Sequence, residues 1–230
     1  MSNIEQSTET ILFAVTGMSP AVLTETIWAL AHEAEPVIPQ RVVVLTTLEG
    51  RKRLEQALFV PREDWGGMSA WEALRVALID AGHDLARKLR FGTTADDIRV
   101  ITAMDARTAQ SCELADLRSQ QDNEAAADFL LDQLRGLTAN PDIRVVASMA
   151  GGRKTMGALL YGCMTLAGRD EDRLTHVLVN EPYESLVDFF FPGQPSGVIL
   201  ARDRQSEHDP RGALIELCLL YTSPSPRDRG

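Results

Sequence analysis

The sequence predicts an α/β fold built on a mostly parallel sheet with helices on both faces. Three observations carry this. Short apolar runs of strand length recur along the chain, each is followed by a helix-length segment, and small residues or glycines sit at the turns between them. The 230 residues suffice for one such domain with a substantial core and hardly for two.

Taken in order, residues 11–16 form the first strand and lead through Gly17-Met18-Ser19-Pro20-Ala21 into a helix over 22–34. Residues 41–46 are the second strand, followed by a helical segment. After the Gly66-Gly67 break, apolar residues at helical spacing predict a helix over 71–89. Residues 98–103 are the third strand. Asp122-Asn123 reads as the cap of a helix over 124–137, whose Ala126, Phe129, Leu130 and Leu134 share one apolar face. Residues 143–147 are the fourth strand, 155–167 a helix and 175–179 the fifth strand. Such a sheet is buried on both faces, and its ligands sit beyond the carboxyl ends of its strands. Gly17-Met18-Ser19, Thr46-Thr47, Gly151-Gly152-Arg153-Lys154 and Asn180-Glu181 all fall there.

The most informative stretch is Ser148-Met149-Ala150-Gly151-Gly152-Arg153-Lys154-Thr155-Met156-Gly157. A strand, a tight turn and a helix leave the first helical N–H groups pointing outward, with the positive end of the helix dipole beside them. The glycines permit close approach to the backbone, and Arg153 and Lys154 add two full charges. Together these describe an anion site suited to phosphate. The plain alternative is a helix start with solvated basic residues. Known nucleotide fingerprints do not fit. A P-loop needs glycines where this chain has Ser148 and Arg153, and the first turn has one glycine where a dinucleotide fingerprint needs three.

At the first turn, Ser19 followed by Pro20 reads as an N-cap with proline at the first helical position. The spacing Gly17-x-Ser19-x-Ala21 also approaches a hydrolase nucleophile elbow. That chemistry is excluded, because the elbow needs an N–H after the nucleophile and Pro20 has none. Ser19 is suited instead to bonding a ligand hydroxyl or phosphate. Thr46-Thr47-Leu48-Glu49-Gly50-Arg51 offers hydroxyls and a cation, or simply a solvated helix start. The polar stretch 105–121, with Arg107, Asp116 and Arg118, reads as a lid or a surface loop. Phe189-Phe190-Phe191 reads as core, a late strand or an interface element.

A formal net charge of −10 repels long nucleic acid and favours a small anionic ligand in a local basic pocket. Cys112, Cys163 and Cys218 are scattered, which fits a reducing compartment. His32, His83, His176 and His208 form no metal-ligand pattern and read as surface or core residues, so no metal or other cofactor is expected. The chain shows no secretory signal or membrane-length apolar run, and a soluble, cytoplasmic protein is expected.

The turns Val15-Thr16-Gly17-Met18-Ser19-Pro20, Leu45-Thr46-Thr47, Asp122-Asn123-Glu124 and Ala150-Gly151-Gly152-Arg153-Lys154-Thr155-Met156, in this order, resemble those of the CRISPR-associated Rossmann fold (CARF) proteins, over roughly residues 11–192. The closest likeness is to stand-alone members related to the sensor domain of type III ancillary ribonucleases. The resemblance implies a Rossmann-like CARF domain. It further implies a homodimer that binds cyclic tetra- or hexa-adenylate across its two-fold axis, and in some members a ring nuclease that cuts the ligand without metal. Carried over residue by residue, it implies that Ser19 contacts the scissile link, Lys154 stabilises or protonates the leaving oxygen and Arg153 clamps phosphate. Gly151 and Gly152 would supply backbone contacts. Gly17, Met18, Thr46, Thr47, Ala150, Thr155, Asn180 and Glu181 would line the ligand site.

The Arg-x-x-x-x-His signature of HEPN ribonucleases is absent, Arg204 and His208 being one residue too close, which favours a ring nuclease over an RNA-cleaving effector. The competing readings are a non-cleaving sensor that acts through a partner or a missing domain, and a Rossmann-like enzyme for a mononucleotide or sugar phosphate. The expected organisation is a disordered segment over 1–10, the CARF domain over 11–200, an extension over 201–217 and a non-native tail over 218–230. That tail reads as translated adapter sequence, which would leave the native C-terminus missing.

Overall fold

In a computed structural model describing residues 8–104, 108–200 and 206–221, the apolar runs of the sequence pair side by side. The main strands are β1 (Glu9–Val15), β2 (Arg41–Thr46) and β3 (Ile98–Val100), followed by a hairpin of β4 (Thr102–Met104) and β5 (Ser111–Glu113). Strands β6 (Ile143–Ser148) and β7 (Arg173–Val179) precede a second small hairpin, β8 (Ile199–Leu200) with β9 (Glu207–His208), and β10 (Ile215–Tyr221) is last. The six-stranded sheet has the order β10-β7-β6-β1-β2-β3. All of its pairs are parallel except the edge pair β10 with β7.

Five α-helices cover it among the described residues: α1 (Ala21–Ala31), α2 (Leu48–Phe59), α3 (Ala70–Asp80), α4 (Gln120–Thr138) and α5 (Lys154–Ala167). Alternation along β1 divides the core. Leu12 and Ala14 pack with α1, α2 and α3, through Leu23, Ile27, Leu54 and Leu74. Ile11, Phe13 and Val15 pack on the other face with α4 and α5, through Leu130, Leu134, Leu160 and Met164. Each such side chain taken fully from water contributes about 1.5–3 kcal/mol. The chain leaves β1 toward β2 and β3, and later fills the opposite side with β6 and β7. Strand order therefore reverses between β1 and β6, where an α/β sheet opens a crevice at its carboxyl edge.

Several expectations need correction. Glu9 and Thr10, expected in a disordered segment, belong to β1, held by pairing with Ile143 and Arg144. The third strand ends at Val100, and Ile101 passes the chain into the β4–β5 hairpin. The helix predicted over 71–89 stops at Asp80, where Gly82 (φ +92°) and the left-handed Arg87 and Leu89 turn the backbone. Helix α4 is capped by Ser119, with Asp122 as the reciprocal partner of a capping box rather than the cap itself. By contrast, Phe189, Phe190 and Phe191 are core residues as expected, in a loop fixed by the Gln194 amide oxygen, which accepts from Phe190 N at 2.8 Å. Cys218, expected in a non-native tail, lies in β10 and pairs with His176, as Leu219 does with Thr175. Asp105, Arg107, Arg204, residues 1–7 and the tail residues 222–230 lie outside the described residues.

Candidate functional site

The β1–β6 crevice is built by two turns in contact. After β1 the chain passes through Gly17-Met18-Ser19 into α1, and after β6 through Met149-Ala150-Gly151-Gly152 into α5. A Cβ on Gly151 would lie 2.8 Å from the Val15 carbonyl oxygen and 2.9 Å from Val22 Cγ2, so only glycine lets the turns meet. Gly152 has φ +82°, a conformation that favours glycine. The two glycines therefore serve the crossing of the chain as well as any approach by a ligand.

The helix starts around this crevice differ in a telling way. Helices α2, α3 and α4 are capped by the side chains of Thr47, Ser69 and Ser119. The α2 start is closed further, because Leu48 N and Glu49 N donate to the carbonyls of Leu114 and Ala115 at 3.0 and 3.2 Å. Helices α1 and α5 receive no side-chain cap. In their first turns Val22 N and Leu23 N donate to the carbonyls of Ser19 and Pro20, and Met156 N to that of Arg153, which leaves Ala21 N, Lys154 N and Thr155 N open, among the described residues, beside the positive ends of two dipoles. Ser19 is thus not the cap that its place before Pro20 implies: the cap position is Pro20 itself, and the Ser19 side chain is exposed.

Met18 (65% exposed) and Ser19 form a ridge that separates two clefts, with Ala150 also common to both. The first cleft, of about 500 Å³, lies toward α2 and is lined by Gly17, Thr47, Glu49, Asp116, Arg118, Gly151, Gly152 and Arg153. Its charges are paired. Arg153 Nε donates to Asp116 Oδ1 at 2.8 Å, and its Nη2 donates to Oδ2. Leu117 N and Arg118 Nε also donate to this carboxylate, at 2.8 and 3.2 Å. The Arg153 hydrogen bond, with those of Leu117 and Arg118, holds the Asp116 carboxyl well below the usual carboxylate range, and Asp116 in turn raises Arg153. Arg153 keeps its Nη1 donors free of this pair. Lys154, one residue on, is exposed and makes no ion pair among the described residues.

The second cleft, of about 440 Å³, lies toward β7 and the turn of 3-10 helix at Tyr183–Ser185. Its walls include Val22, Leu186, Phe189 and Phe190, and its charged or titratable members are Glu25, Arg53, His176 and Glu184. Glu25 is 8% exposed. Burial, with the nearby Glu184 charge, pushes its carboxyl up to about 8.

Not every expected ligand contact is brought here. The Thr46 hydroxyl is buried and donates to the Thr16 carbonyl at 2.7 Å, which takes it out of the site. Thr47 reaches the first cleft, but its hydroxyl accepts from Gly50 N. Asn180 and Glu181 line neither cleft, and the Asn180 side chain accepts from Leu214 N at 2.7 Å, tying β10 to the end of β7. Thr155 and Lys154 are exposed on the first turn of α5, at the rim rather than on a wall. Sequence reasoning passed over Glu25, Asp116 and His176 as site residues. For Glu25 a signal existed, since it is the one charged residue in α1, AVLTETIWALA. Among the described residues no group of three or more His, Cys, Asp and Glu could hold a metal ion, and no helix is long and apolar enough to cross a membrane.

The sheet, with its crevice at the strand-order reversal, makes this a Rossmann-like α/β protein. The family model for CRISPR-associated protein NE0113 matches residues 19–222, and the chain belongs to that family. Among solved structures it is similar to Enterococcus italicus Csm6 bound to cyclic hexa-2′-fluoro-hexa-dAMP, at 15% identity and a TM-score of 0.44. That alignment covers 75% of this chain and 34% of the Csm6 chain, so the protein spans about a third of its length. No curated protein matches the sequence.

Proposed function

We propose that the protein binds a cyclic oligoadenylate in the β1–β6 crevice and cleaves it as a metal-independent ring nuclease. The observation that carries this is the pair of uncapped helix starts, α1 and α5, beside Ser19, Arg153 and Lys154. The open amides of Ala21, Lys154 and Thr155, two dipoles and the charges of Arg153 and Lys154 make a site for phosphodiester oxygens. Membership of a CRISPR-associated family supports the choice of ligand. A ring with two-fold symmetry matches an isologous homodimer, each subunit supplying half of the site.

The chemistry needs no external nucleophile. The ribose 2′-oxygen attacks the adjacent phosphorus in line, the P–O5′ bond breaks, and the product ends in a 2′,3′-cyclic phosphate. The 2′-hydroxyl proton leaves to solvent or a nearby acceptor, and the 5′-oxygen gains one. Ser19 orients the ribose or the phosphate. The free Nη1 donors of Arg153 and the Lys154 ammonium stabilise charge on the phosphorane, and Lys154 can protonate the leaving oxygen. A second reading, a sensor that binds without cutting, is favoured by one observation: Asp116 already occupies the Nε–Nη2 edge of Arg153.

The test is incubation with cyclic tetra- and hexa-adenylate in EDTA, with products followed by chromatography and mass spectrometry. Linear products with cyclic phosphate ends over many turnovers are expected, and Lys154→Ala should slow saturated turnover about 100- to 1,000-fold. Tight binding without turnover selects the sensor. Failure of both rings to bind overturns the reading.

A further inference from the structure

We propose that the cleft between α1 and β7 is a base-reading site, in which the Glu25 carboxyl group offers one donor and one acceptor to the edge of a neutral heteroaromatic base. Naming that base adenine rests on the function proposed above; the geometry of the cleft does not.

The first observation is that Glu25 is nine-tenths buried and unpartnered. It makes no hydrogen bond and no ion pair among the described residues, although Arg53 lines the same cleft. Its neighbours on α1 are satisfied: Thr24 donates to the Phe190 carbonyl at 2.8 Å and Thr26 to the Val22 carbonyl at 2.6 Å. A buried, unpaired carboxylate is costly, and the group avoids that cost by staying protonated or by meeting a donor. The second observation is His176, which lines the cleft from β7 and whose Nδ1 is buried without a hydrogen-bond partner. The Glu25 carboxyl lines the cleft itself, where a polar ligand can supply the partner that the folded chain does not.

The chemistry selects the ligand class. A protonated carboxyl presents O–H and C=O side by side, whereas a carboxylate presents two acceptors. Adenine offers a ring-nitrogen acceptor beside its N6 donor, so the neutral acid makes two bonds and the carboxylate makes one. Leu186, Phe189 and Phe190 supply apolar surface for the base. The groups that face Glu25 from the packed elements are Arg53 on α2, His176 on β7 and Glu184 after it. Glu184 opposes its ionisation, in the same direction as burial. Because the cleft meets the phosphate side at Met18, Ser19 and Ala150, one nucleotide can place its base here and its phosphate at α5.

The test measures binding of adenosine 5′-monophosphate and of cyclic hexa-adenylate by calorimetry at pH 6.5 and pH 9.5, with wild type and Glu25→Gln. With a carboxyl near 8 in the free protein, affinity should fall about tenfold per pH unit above that value, roughly 30-fold at pH 9.5. Glu25→Gln keeps one donor and one acceptor at every pH and should bind with no such fall. Equal wild-type affinity at both pH values, or a Glu25→Gln fall that parallels the wild type, overturns the inference. PH-dependent binding of the monophosphate without binding of the ring upholds it and sinks the proposed function. Failure of both adenine ligands at pH 6.5 sinks both. Circular dichroism at both pH values shows that the variant is folded.

Discussion

On the α2 side of the Met18-Ser19 ridge the exposed Arg118 and Arg153 are paired with the half-buried Asp116; on the β7 side a carboxyl is buried and has no partner. Arg153 is 53% exposed, and its bond to Asp116 costs little desolvation and can be exchanged for a bond to another anion. Glu25 has no exchange to make, because nothing in its cleft donates to it. The comparison teaches that the same crevice holds two kinds of readiness. One side is poised by competition, since a phosphate must displace Asp116 from Arg153. The other is poised by deficit, since a ligand restores hydrogen bonds that the folded chain lacks.

Three measurements would break or sharpen this contrast. The largest effect is expected on the buried side. The Glu25 carboxyl lies at about 8 in the folded protein, against an ordinary 4.5. Between those values the folded state keeps a proton that the unfolded state has lost, so stability is fully present below the ordinary value. It falls as pH rises, by about 1.4 kcal/mol per unit and on the order of 5 kcal/mol over the window. Urea unfolding across that range should show this slope in wild type and not in Glu25→Gln. A slope common to both proteins would remove the buried acid from the comparison.

Next in size is Gly151→Ala, which strikes both clefts at their shared turn. The added Cβ meets the Val15 carbonyl oxygen at 2.8 Å and Val22 Cγ2 at 2.9 Å, which forces β1 and the α5 turn apart. A loss of about 1–3 kcal/mol in unfolding free energy is expected, with weakened binding of any ligand that spans the ridge. Wild-type stability in this variant would mean that the turns have slack.

The smallest effect belongs to the exposed pair. Asp116→Asn removes the charge that competes for Arg153, and affinity for an oligoadenylate should rise about three- to tenfold, with a steeper salt dependence. Weaker binding would show that Asp116 holds Arg153 in its working position rather than competing for it.

Much of the scaffold was legible in the sequence. Strands β1, β2 and β6 are continuous apolar runs because both of their faces are covered, and each ends within a residue or two of its expected place. The α5 turn was legible as well, because its glycines and basic pair stand together in the chain. The third strand was read as one piece because Ile98, Val100, Ile101 and Ala103 follow one another with no turn residue between them, and only the exit of Ile101 toward the hairpin divides it. Thr46 was misread for a related reason. Its place at a strand end is set by local sequence, but its hydroxyl is claimed by Thr16 on the neighbouring strand.

By itself the sequence determined the alternation of elements, the candidate ligand turns at the carboxyl ends of the strands, and the basic start of α5, since each depends on residues a few positions apart. Tertiary structure alone decided which charges are free. Asp116 meets Arg153 across 37 residues, and Glu25 shares its cleft with the loop of Phe189 and Phe190 far along the chain. Solvation and pairing are set by what packs against a side chain, and that depends on contacts that no local pattern of residues encodes.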